Sequence, residues 1–207
     1  SLCIYGKERY IPMIEAILTR ANAARKVRIT VKTLTVLTVV ILAVALPQLV
    51  HLAVGAAGGV TWLPMYLPVL LGGCLLGARW GLIAGIASPV VSFLLTSLTG
   101  NAMPAAVRLP FMAAELALMA LVTGLFSDAI VKRAWMAFPA VLLAQVSGRA
   151  FFLLLVTLFQ NVVPFTPAVI WGQIRTGLYG LALQAVLVPL AVIGLRRLAD
   201  TGGRDRD

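Results

Sequence analysis

Six apolar runs, at roughly residues 33–53, 62–77, 80–98, 105–126, 135–158 and 169–195, fill almost all of the chain after its first 32 residues, and the links between them are short. A helix rises about 1.5 Å per residue, so crossing a hydrocarbon core about 30 Å thick takes about 20 residues. Runs of this length and spacing predict an all-α integral membrane protein with six transmembrane helices. Pro47 is expected to bend the first helix. The second run is short and holds two prolines, Pro64 and Pro68, so it is expected to span with distortion. Only Ala78-Arg79 separates it from the third.

Composition agrees. The chain is 61% hydrophobic and 12% charged, with a mean hydropathy of +1.00, against about 45–50% and about 25% for soluble domains. The net charge is +10, but the basic residues fall between apolar runs and form no patch for nucleic acid. They read instead as topology. Lys7, Arg9, Arg20, Arg25, Lys26, Arg28 and Lys32 lie on one side, with Arg79, Lys132, Arg133, Arg196, Arg197, Arg204 and Arg206. Both termini are therefore expected in the cytoplasm. The chain divides into a basic cytoplasmic N-terminal extension (1–32), a six-helix membrane domain (33–197) and a charged cytoplasmic tail (198–207). Residues 1–28 lack the apolar core and cleavage site of a signal peptide. Cys3 and Cys74 have no metal-ligand spacing and are expected as free thiols.

No H-E-x-x-H, G-x-S-x-G or clustered acidic set is present, so neither a metal, a cofactor nor an enzyme active site is expected. The segment GGCLLGAR has phosphate-loop glycine spacing, but it lacks the Lys and Ser/Thr such a loop needs. His51, three residues after Gln48, is either a ligand contact or an interfacial residue.

Ionisable groups within membrane spans are expensive and usually face the bundle interior. There are four here: Arg108, Glu115, Arg149 and Arg175. Glu115 and Arg149 each lie about ten residues from the outer end of their helices, about 15 Å deep. They are expected to form a buried ion pair, as structure or as part of a substrate site. Arg108 shares a face with Glu115, and Arg175 starts the sixth helix. These two arginines either attract a carboxylate or phosphate group or snorkel to outer headgroups. Asn101, Gln173 and Gln184 bias the outer half toward polarity, and Gln173, Gly177, Gly180 and Gln184 form a stripe at helical spacing. With Trp62, Tyr66, Trp171 and Tyr179 they could line an outward-opening pocket; an interfacial aromatic belt is the alternative. The Gly-rich segment 54–61 is expected to be a loop acting as an outer lid.

Small residues recur at Gly77, Gly81 and Gly85, and at Ala140, Ala144 and Gly148. Such stripes let helices approach closely in lipid, either within the chain or as a docking surface for another subunit.

The segments TWLPMYLPVLLGGCLLGARWGLIAGIASPVVSFLLT, LPFMAAELALMALVTGLFSD, VSGRAFFLLL and GLYGLALQAVLVPLAVIGL resemble the substrate-binding S component of an energy-coupling factor (ECF) transporter. The resemblance runs from about residue 34 to 197. It implies a multi-pass protein of a prokaryotic plasma membrane that captures a vitamin or similar micronutrient from outside. Its implied partners are the lipid bilayer, a transmembrane coupling subunit and two cytosolic ATPases that supply the missing ATPase motif. Many such proteins carry an Ala-x-x-x-Ala docking motif in the first helix. Here Ala43 is followed four residues later by Pro47, and the stripes at Gly77, Gly81 and Gly85 and at Ala140, Ala144 and Gly148 are the candidate substitutes. The alternatives are a solitary secondary carrier, for which an acidic ion site and two similar halves are missing, and a non-transport membrane assembly protein.

Overall fold

The computed structural model describes residues 12–20, 24–98, 100, 103–160 and 166–204. Among them every regular element is helical: α1 (Met13–Arg20), α2 (Arg25–Val54), α3 (Ala56–Trp62), α4 (Tyr66–Ser97), α5 (Leu109–Leu125), α6 (Ser127–Lys132), a 3₁₀ turn (Ala134–Met136), α7 (Ala137–Leu158) and α8 (Pro167–Arg204). Arg25–Val54, Gly58–Ser97, Ala134–Leu158 and Ala168–Leu198 are long and apolar enough to cross a membrane, and Leu109–Leu125 is a shorter apolar helix.

Outward faces carry the same signature. Leu34, Ile41 and Leu52 on α2, Leu142 and Val146 on α7, and Leu183 and Leu187 on α8 are all exposed. Water would penalise such a surface heavily, whereas hydrocarbon does not. The fold is that of a membrane-embedded protein.

The second and third apolar runs are the two arms of α4. Gly77, at φ 78° and ψ 178°, breaks the helix between them. This region of backbone space is essentially reserved for glycine. The arms fold back on each other: a Cβ on Gly81 would lie 3.0 Å from the Cα of Gly73, whereas eight residues of straight helix span about 12 Å. One glycine thus does the work of a loop.

α5 lies against this hairpin, backbone to backbone. A Cβ on Gly85 would meet the Leu116 carbonyl oxygen at 2.7 Å, and one on Gly124 would meet Ala78 Cα at 2.5 Å. The Gly77, Gly81 and Gly85 stripe is therefore taken up by the chain's own α5, Pro12, Ser127 and the hairpin partner arm. All three glycines are buried, so within this chain the stripe serves the packing alternative. Ala140, Ala144 and Gly148 are likewise buried within the bundle.

α1 packs beneath the hairpin turn. Met13 is 4% exposed and belongs to the main core cluster with Leu70, Leu116 and Ile130, and Lys32 Nζ meets Glu15 Oε2 at 2.6 Å. Helix α1 is thus docked on the bundle, while Arg25–Lys32 form the first turns of α2. Arg79, Lys132 and Arg196 gather at this end: a Cβ on Gly77, two residues before Arg79, would contact both Pro12 and Ser127, which opens the helix of Lys132, and Arg196 Nη1 donates to the Ile130 carbonyl at 3.4 Å.

The Gly-rich segment is a helix rather than a loop. Gly55, at φ 77°, turns the chain out of α2, and α3 follows at once. α3 ends at Leu63, whose φ of 47° is left-handed. The last carbonyls there are satisfied from α8, where Gln184 Nε2 donates to Trp62 O at 3.0 Å and Leu63 O at 2.9 Å. Side-chain capping of orphan carbonyls fixes a helix end.

Candidate functional site

Three elements meet at a buried polar cluster. Tyr66 opens α4, Glu115 lies mid-α5 and Arg149 mid-α7. The Tyr66 hydroxyl donates to Glu115 Oε2 at 2.6 Å. Arg149 Nη1 lies 3.2 Å from Glu115 Oε1, and its guanidinium carbon sits 4.7 Å from the centroid of the Tyr66 ring. Glu115 is fully buried and the Arg149 side chain is 11% exposed. The expected Glu115–Arg149 pair is present. Its Nη1–Oε1 contact is close but poorly aligned: Glu115 Oε1 makes no hydrogen bond of good geometry, and neither do the buried Nε and Nη2 groups of Arg149. Charge holds the pair, while the aligned hydrogen bond comes from Tyr66.

Beside this cluster is a cavity of about 310 Å³. Its polar wall is His51, Tyr66, Ser92, Arg108, Arg149 and Gln173. Its apolar wall includes Pro47, Leu63, Met65, Met112 and Phe152. A few polar groups on a mostly apolar concavity are the usual makings of a small-molecule site. The cavity lies among the C-terminal turns of α2, the start of α5 and the start of α8, at the end of the bundle opposite Arg79, Lys132 and Arg196.

Each polar group is positioned by its own element. Arg108 directly precedes α5. Gln173, with its amide oxygen turned toward the guanidinium, accepts from Arg108 Nη1 at 3.2 Å and Nη2 at 3.0 Å. His51 packs against α3, where a Cβ on Gly59 would lie 2.9 Å from its Nε2. Ser92 and Thr96 pin the connection to α5 through Met103: both hydroxyls donate to its carbonyl, at 2.8 and 3.1 Å, and its N–H donates to Thr96 Oγ1 at 2.7 Å.

Of the residues expected from the sequence, His51, Tyr66, Arg108, Arg149 and Gln173 line one cavity, and Glu115 supports it through Tyr66 and Arg149. Trp62, Trp171, Arg175 and Tyr179 are exposed and do not line it. For the α8 residues the reason is helical phase. At 100° per residue, Gln173 facing inward turns Trp171 and Arg175 to the opposite side. Tyr179, 73% exposed, follows the same outer face. Asn101 lies outside the described residues.

The α8 stripe is divided between two tasks. Gln173 reaches the cavity, while Gly177, Gly180 and Gln184 seat the end of α3; a Cβ on Gly180 would lie 2.5 Å from Trp62 O. Met65, Met112 and Phe152 were not legible as cavity residues, because an apolar side chain within an apolar run carries no mark of the direction it faces.

A second concavity, of about 510 Å³, lies between α7 and α8. Arg149 borders it too, with Trp171, Leu178 and Gln145. The Gln145 Nε2 bonds the Leu181 carbonyl at 3.0 Å. Among the described residues no group of three or more His, Cys, Asp or Glu side chains is placed to hold a metal ion.

No family model matches the chain, and no curated protein and no solved structure matches it.

Proposed function

We propose that this chain is the substrate-specific subunit of a membrane importer, of the kind the S component of an ECF transporter represents. It captures a small vitamin-like solute from outside, and a transmembrane coupling subunit with two cytosolic ATPases drives uptake. The chain has no catalytic role and needs no cofactor.

The cavity carries this reading. Five candidate residues from five parts of the sequence converge on one small, mostly apolar chamber. Lys and Arg mark the cytoplasmic end of a membrane protein, so the chamber belongs to the outer half and both termini to the cytoplasm of a prokaryotic cell. Six crossings follow when the arms of α4 are counted separately. The first arm, Tyr66 to Leu76, rises only about 16 Å and relies on α3 and the 63–65 turn to complete its crossing.

Affinity purification of the tagged chain from its native membrane tests the proposal. Recovery with a coupling subunit and an ATPase pair supports it. A bound solute without ATPases would favour a solitary carrier, and neither solute nor ATPases would favour an assembly role; both outcomes reject the importer.

A further inference from the structure

We infer that the end of the bundle opposite the solute cavity holds a phospholipid site: a recess between α1, α2 and α4 that seats the phosphate of an anionic lipid, with Arg25 as its contact. This site is independent of the solute cavity and lies outside the importer reading.

The recess encloses about 460 Å³ and is lined, among the described residues, by Glu15 of α1, by Arg25, Arg28, Ile29 and Lys32 of α2, and by Trp80 of α4. The four α2 residues stand at i, i+3, i+4 and i+7, which is one face of its first turns. Glu15 is taken by Lys32, with Oε2 2.6 Å from Nζ. Arg28 is engaged by the chain itself. Arg25 is exposed and makes no hydrogen bond or ion pair among the described residues. Its planar fork is the donor group left for a phosphate.

Depth selects the ligand. The apolar run of α2, a helix long enough to cross a membrane, begins at about residue 33. At about 1.5 Å per residue, Lys32 stands at the hydrocarbon edge, Arg28 about 7 Å outside it and Arg25 about 12 Å outside. Headgroups fill about 5–8 Å beyond the hydrocarbon on each side, so the recess straddles the level of the lipid phosphates. Trp80 opens the apolar run of the second α4 arm, the depth at which an indole meets headgroups. Ile29, 50% exposed, offers an apolar flank to the glycerol and the first methylenes of a lipid. A soluble phosphate compound has no use for that flank. The headgroup is anionic because the ammonium of a zwitterionic one would be set against the Arg25 guanidinium. Basic pockets between helices at a membrane surface are the usual seats of such lipids.

The test uses the full chain in mild detergent, mixed with phosphatidylglycerol or phosphatidylcholine and read by native mass spectrometry at high ionic strength, where diffuse attraction is screened. One phosphatidylglycerol per chain should stay bound, phosphatidylcholine should not, and inorganic phosphate should leave the bound lipid in place. Arg25→Gln should lower the retained fraction roughly tenfold, the loss expected for one charge-assisted hydrogen bond, and Trp80→Leu should lower it as well. Arg25 is exposed, so its variant keeps the fold. Arg133→Gln removes an exposed charge beside Lys132, outside the recess, and should stay within about twofold. Equal losses from Arg25→Gln and Arg133→Gln, equal retention of the two lipids, or no retained lipid overturns the inference. Displacement of the lipid by inorganic phosphate also overturns it, in favour of a soluble anion. None of these outcomes touches the importer reading.

Discussion

Arg149 and Glu115 meet across the α5–α7 seam with Nη1 3.2 Å from Oε1, the carboxylate fully buried and the guanidinium nearly so. Removing one partner of a buried pair strands the other charge, which costs about 3–5 kcal/mol. Glu115→Ala should therefore lower thermal stability in detergent far more than Glu115→Gln combined with Arg149→Gln. Equal melting temperatures for the two variants would show that water reaches the pair.

Tyr66→Phe removes only the hydroxyl that bonds Glu115 at 2.6 Å and keeps the ring beneath Arg149. Hydrogen bonds to charged groups contribute about 1.5–3 kcal/mol. The variant should be less stable by about that amount and unfold at lower temperature, while Tyr66→Leu, which also removes the cation–π contact, should be less stable still. Thermal unfolding followed by intrinsic fluorescence orders the three proteins.

Gly77→Ala places a Cβ at φ 78° and ψ 178°, against Pro12 at 3.0 Å. Backbone strain of this kind costs about 1–3 kcal/mol. Gly172→Ala is the control, since a Cβ there meets nothing within 4 Å and in a helix the change stabilises by about 0.5–1 kcal/mol. Stability measured on both variants should move in opposite directions.

Gln184→Leu should loosen α3 without unfolding the bundle. It removes both bonds to the Trp62 and Leu63 carbonyls, and hydrogen exchange should accelerate in the segment 55–66, with α5 unchanged. Uniform protection across the chain would mean that α3 is held by packing alone.

Arg108→Ala should weaken solute binding by roughly tenfold, in line with loss of one charged contact. Arg175→Ala and Tyr179→Ala should stay within about twofold, because both side chains are exposed on α8 and outside the cavity. Calorimetry on the three variants decides between the cavity and the outer face of α8 as the binding surface.

These variants also mark where sequence stops informing. Apolar run length located the long helices, because crossing distance and hydrophobicity are properties of a segment taken alone. The Glu115–Arg149 pairing was legible because buried charges need each other. Helical phase was harder: Gln173, Arg175 and Tyr179 are near neighbours in sequence, and which one faces inward depends on how α8 is rotated against α3. Segment 54–61 read as a loop from its glycines, whereas Gln184, more than 100 residues away, supplies the bonds that close it as a helix. The docking of α1 was invisible for the same reason, since Met13 finds its core only once the hairpin turn exists.

The glycine hairpin and α5 have a consequence for assembly. Their contacts join neighbours in sequence, from Tyr66 to Leu125, and local contacts form early. During synthesis this unit can close while α7 is still unmade, holding Glu115 with only the Tyr66 hydroxyl for company. Arg149 then arrives as the last member of a cluster already in position, and insertion of α7 gives Glu115 its counter-charge and leaves only the α8 side of the chamber, with Gln173, to be added.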